Sequence, residues 1–212
     1  MSTGADSTED SEQHRITDDI VSGTPYRKLR AQRWAQFSAP LQTKIAWHSG
    51  ITAALILVLP LYKLFPRASE AVSLGPATVA SPKVLLLGVV GLGIETLTGT
   101  VLVVVGLYRL RTGPVDEDTA ATLLNLEDTA TSIGLFTGGF AVLVTLACFV
   151  LGAFGTGAIA DYMALFDANP YVDSGTGISV VHLAVVALIV STVLWTVRQY
   201  LVFELWKLDG RR

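Results

Sequence analysis

Cysteine is almost missing from this 212-residue chain: Cys148 stands alone, which excludes an intrachain disulfide and a two-cysteine metal motif. Charge is scarce too. Only 16% of the residues are charged and 51% are hydrophobic, whereas soluble domains carry about a quarter charged residues. The net charge of −3 denies the chain the basic surface of a nucleic-acid binder, so no nucleic-acid partner is expected. No H-E-x-x-H, phosphate loop, dinucleotide fingerprint or nucleophile-and-base arrangement occurs, so no enzymatic activity and no cofactor are expected. The acidic groups Asp116 to Asp118 and Glu127 to Asp128 lack the alternating oxygen ligands and turn glycine of a calcium loop. They read as a solvated helix surface and not as a metal site.

What the chain has in abundance is apolar sequence without interruption. Val84 to Tyr108 is long enough to span the roughly 30 Å hydrocarbon core at about 1.5 Å per residue. At about 100° per residue, Gly88, Gly91, Glu95, Thr98, Gly99, Leu102 and Gly106 share about a third of the circumference. A small-residue face of this kind lets another helix approach closely. Glu95 lies in the middle of it and is expected to face protein, not lipid.

Three further spans follow from the same criterion, at about 46–65, 133–154 and 178–200. The expected fold is therefore all-α, a four-span integral membrane protein occupying residues 46–212, with lipid bilayer as its first partner. Pro60 should kink the first span by removing a backbone donor and crowding the preceding turn. In the third span Gly134, Gly138, Ala141, Thr145, Cys148 and Gly152 fall within about 80° of each other, and Gly134 and Gly138 form a G-x-x-x-G pair. Packed antiparallel on the second span, this stripe would bring Thr145 to the depth of Glu95, where a hydrogen bond between them is expected.

Ahead of the spans, residues 1–25 form an acidic segment too polar to offset its own ordering entropy, and it reads as a disordered tail without the apolar region of a signal peptide. Residues 26–45 read as a basic amphipathic helix. Tyr26, Leu29, Trp34 and Phe37 share a face, and Arg27, Lys28, Arg30 and Arg33 are candidates for anionic lipid headgroups; docking on another protein is the alternative. Ser38 before Ala39 and Pro40 has the form of a helix N-cap. Lys and Arg concentrate on the side that holds both termini, Lys44, Arg109, Arg111 and Arg198 among them, against Lys63, Arg67 and Lys83 opposite. The positive-inside rule then puts both termini in the cytoplasm, with the chain in the cell membrane.

His48 and His182 invite a shared haem, but by their distance from the span ends they stand roughly 20 Å apart along the membrane normal. A charged side chain at the bilayer centre costs about 2.5–3.5 kcal/mol on insertion scales, so Glu95 needs a reason to be there. Either it forms a proton or cation site with Thr98 and Thr145, or it is a neutral acid holding helices together. The small-residue faces at Gly88, Gly91, Gly99, Gly106, Gly134, Gly138 and Gly152, with no chemical motif beside them, favour association. The chain is read first as a homo-oligomer or a small subunit of a membrane complex, and second as a proton or cation channel or transporter working through Glu95.

Overall fold

The computed structural model describes residues 25–31, 39–66, 75–113 and 115–209. Among them the regular structure is entirely helical: α1 Pro25–Ala31, α2 Leu41–Ala54, α3 Val58–Lys63, α4 Lys83–Thr112, α5 Glu117–Ile133, α6 Gly139–Ala153, α7 Thr156–Phe166 and α8 Val180–Asp209. Four helical runs are long and apolar enough to cross a membrane, Leu41–Lys63, Lys83–Thr112, Glu117–Ala153 and Val180–Glu204. The expected tail at Met1 to Thr24, together with Arg33, Trp34, Phe37, Ser38, Arg67 and the side chain of Arg27, lies outside the described residues.

Two of the boundaries that differ from the sequence reading matter for the interior. The first span begins at Leu41, five residues before the expected start, because Pro40 accepts from the amides of Thr43 and Lys44 and opens the helix there. The third span does not begin at Ile133. Instead α5 runs into α6 through one π-helical turn, Gly134–Gly138, in which the amide of Gly139 donates to the carbonyl of Gly134. Such turns widen a helix by one residue and commonly mark functional positions.

Proline and the loops set the remaining ends. Leu55–Leu57 form a 3₁₀ turn that ends three residues before Pro60, whose ring cannot accommodate the carbonyl of the preceding α-turn. The start of α4 is capped by the loop before α8: Lys83 donates to Val172 O and Val84 to Pro170 O, which satisfies amides that a helix start leaves open. Its far end closes at Gly113, which takes a φ of 70° and donates to Arg109 O, a conformation that glycine adopts without a Cβ penalty. Asp116 then opens α5 by accepting from the amide of Thr119.

α4 is the central helix, in contact with α2, α5, α6 and α8, while α2 also lies along α8. Two apolar regions fill the bundle. The larger one lies away from α1 and contains Leu55, Val58, Phe65, Leu85, Leu92, Phe149 and Leu183; the other is built around Leu41, Ile45, Leu102, Val105 and Leu201. The small-residue stripes are consumed in making these contacts. A Cβ on Gly88 would press on Leu183 and Thr145, one on Gly91 on Val142 and Ala141, one on Gly99 on Leu194, one on Gly106 on Leu201 and Leu41, and one on Gly152 on the ring of Phe65.

Candidate functional site

Between the two apolar regions lies a set of buried ionisable groups contributed by α2, α4 and α5. On α2, Lys44, His48 and Thr52 are fully buried and recur every four residues, so they form one inward stripe. On α4 the matching group is Glu95, also fully buried. His48 Nδ1 and Glu95 Oε2 share a hydrogen bond of 2.5 Å. Thr98 Oγ1 stands 3.4 Å from the same imidazole nitrogen and donates to Ile94 O at 2.8 Å.

Room for this pair comes from the π-turn. A Cβ on Gly134 would overlap the His48 ring, and one on Gly138 would come within 2.8 Å of Glu95 Oε1. The G-x-x-x-G pair therefore does not serve helix packing alone, as the sequence suggested; its missing side chains are the space in which the imidazole and carboxyl meet. Three buried polar atoms, His48 Nε2, Glu95 Oε1 and Thr52 Oγ1, find no hydrogen-bond partner among the described residues. Each of His48 and Glu95 thus spends one polar atom on the other and keeps one unpartnered.

A second cluster lies nearer to α1. Lys44 Nζ donates to Glu127 Oε1 at 2.7 Å and to Asp128 Oδ1 at 2.8 Å. The hydroxyl of Tyr26 donates to the other oxygen of Glu127, and the Arg109 guanidinium lies 3.6 Å over the Tyr26 ring. Burial, reinforced by the charge of Glu127, pushes the Tyr26 phenol above its usual range. Thr131, one turn after Glu127, is buried and donates to Glu127 O.

Several expectations change here. Thr145 does not reach Glu95; its hydroxyl donates to Ala141 O within its own helix at 2.8 Å. Glu127 is not a solvated surface group, since its carboxylate is fully buried on Lys44. Tyr26, expected on a membrane-facing surface, is instead 2% exposed and packs on Ala120 and Leu124 of α5, so α1 docks on the chain itself. Lys28 and Arg30 stay partly exposed beside it. His182 is spent at the start of α8, where Ser179 N donates to its Nδ1 and its own amide donates to Ser179 Oγ, a reciprocal cap.

Sequence reasoning missed His48 and Lys44 as site residues, although their spacing with Thr52, three polar groups on one face of an apolar span, was the signal. Comparisons with protein-family models, curated proteins and solved structures return no match.

Proposed function

We propose that this chain is a multi-pass membrane protein that handles protons, with the His48 and Glu95 pair as its proton site. One observation carries the reading: a directly hydrogen-bonded imidazole and carboxyl, both fully buried within helices able to span a membrane, each retaining an unpartnered polar atom. Ionisable groups inside a bilayer are costly, and where they persist they mark ion pathways and proton relays. Histidine exchanges protons near neutral pH more readily than any other side chain. A hydrogen-bonded imidazole and carboxyl can take up or release a proton without either group losing its partner.

Association with a second copy or another subunit draws less support than the sequence suggested, because the glycine faces that would serve it are occupied by Leu183, Val142, Leu194 and Leu201 of the same chain. In the orientation proposed, both termini are cytoplasmic and α1 lies on the cytoplasmic face.

The test is proton flux in proteoliposomes reporting through an internal pH dye. Glu95→Gln should assemble as the wild type does and abolish flux, because the amide keeps the hydrogen bond and cannot carry the proton. Flux unchanged in Glu95→Gln refutes the proton-site reading and leaves Glu95 as a structural link between α2 and α4.

A further inference from the structure

Among the described residues, charged side chains approach the His48 and Glu95 pair from the α1 side, while on the other side Thr52 follows His48 by one turn with its hydroxyl unpartnered. Lys44 is one helical turn from His48 on α2, about 6 Å along the axis, and it is held by Glu127 and Asp128 of α5. Lys44 and Glu127 are fully buried, but Asp128 keeps 14% of its side chain exposed, so Asp128 is the rim of the cluster. On α5 the polar series continues from Glu127 to the buried Thr131, and then to Gly134, where the imidazole sits. The groups around Glu127 come from every neighbouring element: the Tyr26 hydroxyl from α1, the Lys44 ammonium from α2, Asp128 from α5, and the Arg109 guanidinium of α4 stacked on Tyr26.

Among the described residues, the opposite direction carries hydroxyls but no charged group near the pair: Thr52 is unpartnered and the Thr145 hydroxyl is spent on Ala141 O. Beyond Glu95 the α4 face continues as Leu92 and Leu85, packed against Val142, Phe149 and Leu55. The layer ends in an aromatic group in which Phe65 meets Tyr171 edge-on at 5.5 Å. The Tyr171 hydroxyl is spent on Cys148 O at 2.7 Å. An ion crossing such a layer would be stripped of hydration with nothing to replace it.

We infer that the Lys44, Glu127 and Asp128 cluster is the port through which the His48 and Glu95 pair exchanges protons with the α1 face, that Tyr26 is its cover, and that the opposite face is closed in this conformation. The inference rests on the reading of the pair as a proton site. On uptake, hydronium at the Asp128 rim gives up its proton and becomes water; the proton ends on one of the two unpartnered atoms, His48 Nε2 or Glu95 Oε1. Release runs the same route in reverse. Lys44 and Glu127 line the port and are positioning residues.

The experiment uses the full chain in proteoliposomes sorted so that α1 faces one known side. Carboxyl infrared bands are followed after a pH jump applied to either side, and the Glu95 band is identified by its loss in Glu95→Gln. A jump on the α1 side should move that band faster than a jump on the other side by about an order of magnitude or more. Glu127→Gln and Asp128→Asn should slow the response to the α1-side jump, and Tyr26→Phe should speed it. Equal rates from the two sides overturn the port, as does an unchanged rate in Asp128→Asn, the variant that decides the matter if Glu127→Gln fails to fold. If no band is lost in Glu95→Gln, the proton-site reading falls and the port falls with it; a Glu95 band without sidedness overturns the port alone.

Discussion

The imidazole of His48 occupies the place where a side chain on Gly134 would begin. A residue of the first span is thereby seated inside the backbone of the third, at the one turn where that backbone is π-helical. With Gly138 making the same concession to Glu95, two glycines four residues apart support one hydrogen bond between two other helices.

Alanine at these glycines should therefore be harmful although alanine is the better helix former. Gly134→Ala and Gly138→Ala are expected to lower stability by about 1–3 kcal/mol through overpacking. Gly93→Ala, at an exposed position of α4 where a Cβ meets nothing within 4 Å, should be neutral or stabilising by about 0.5–1 kcal/mol. Thermal unfolding in detergent separates the two outcomes; equal behaviour at all three sites would contradict the seating of His48 and Glu95.

Lys44 and Glu127 form a buried pair, and removing one partner strands the other. Lys44→Met should cost about 3–5 kcal/mol, while the double variant Lys44→Met with Glu127→Leu should recover much of that loss. A double-mutant cycle on unfolding free energies measures the difference. Additive losses would mean that the two side chains do not interact.

Tyr26 gives α1 a dependence on alkaline pH. Its phenol is held above the usual value of 10.0, first by burial and then by the Glu127 charge. The neutral form is thus the one that docks: its contribution is complete below pH 10.0 and is lost as pH rises through the elevated folded value. The difference in tyrosinate absorbance between wild type and Tyr26→Phe should titrate well above 10.0. A difference that titrates at the usual value would place Tyr26 in solvent.

Thr145 tests the contact that sequence suggested and folding did not make. Because its hydroxyl bonds the carbonyl of Ala141, which the helix amide ladder also serves, Thr145→Val should change stability by less than about 0.5 kcal/mol and leave proton flux intact. A large loss of flux would restore Thr145 to the site.

The four apolar runs, the inward position of Glu95 and the small-residue faces were legible in the sequence because each is a local property. Bilayer thickness sets the length of a span, and helical period sets which residues share a face. The partner of Glu95 was not legible, since it depends on the register between helices. Starting the first apolar helix at Leu41 in place of Ala46 puts His48 about 7.5 Å further from the helix start, level with the Glu95 carboxyl. The continuation of α5 into α6 likewise carries Glu127 against Lys44, where a charge count along the chain sees only a solvated acid and an inside-facing base. Sequence by itself determined how many times this chain can cross a membrane and that Glu95 lies in its interior. Only the tertiary structure decided which base that acid meets, because the answer lies in the axial offset of two helices and in the absence of two side chains on a third.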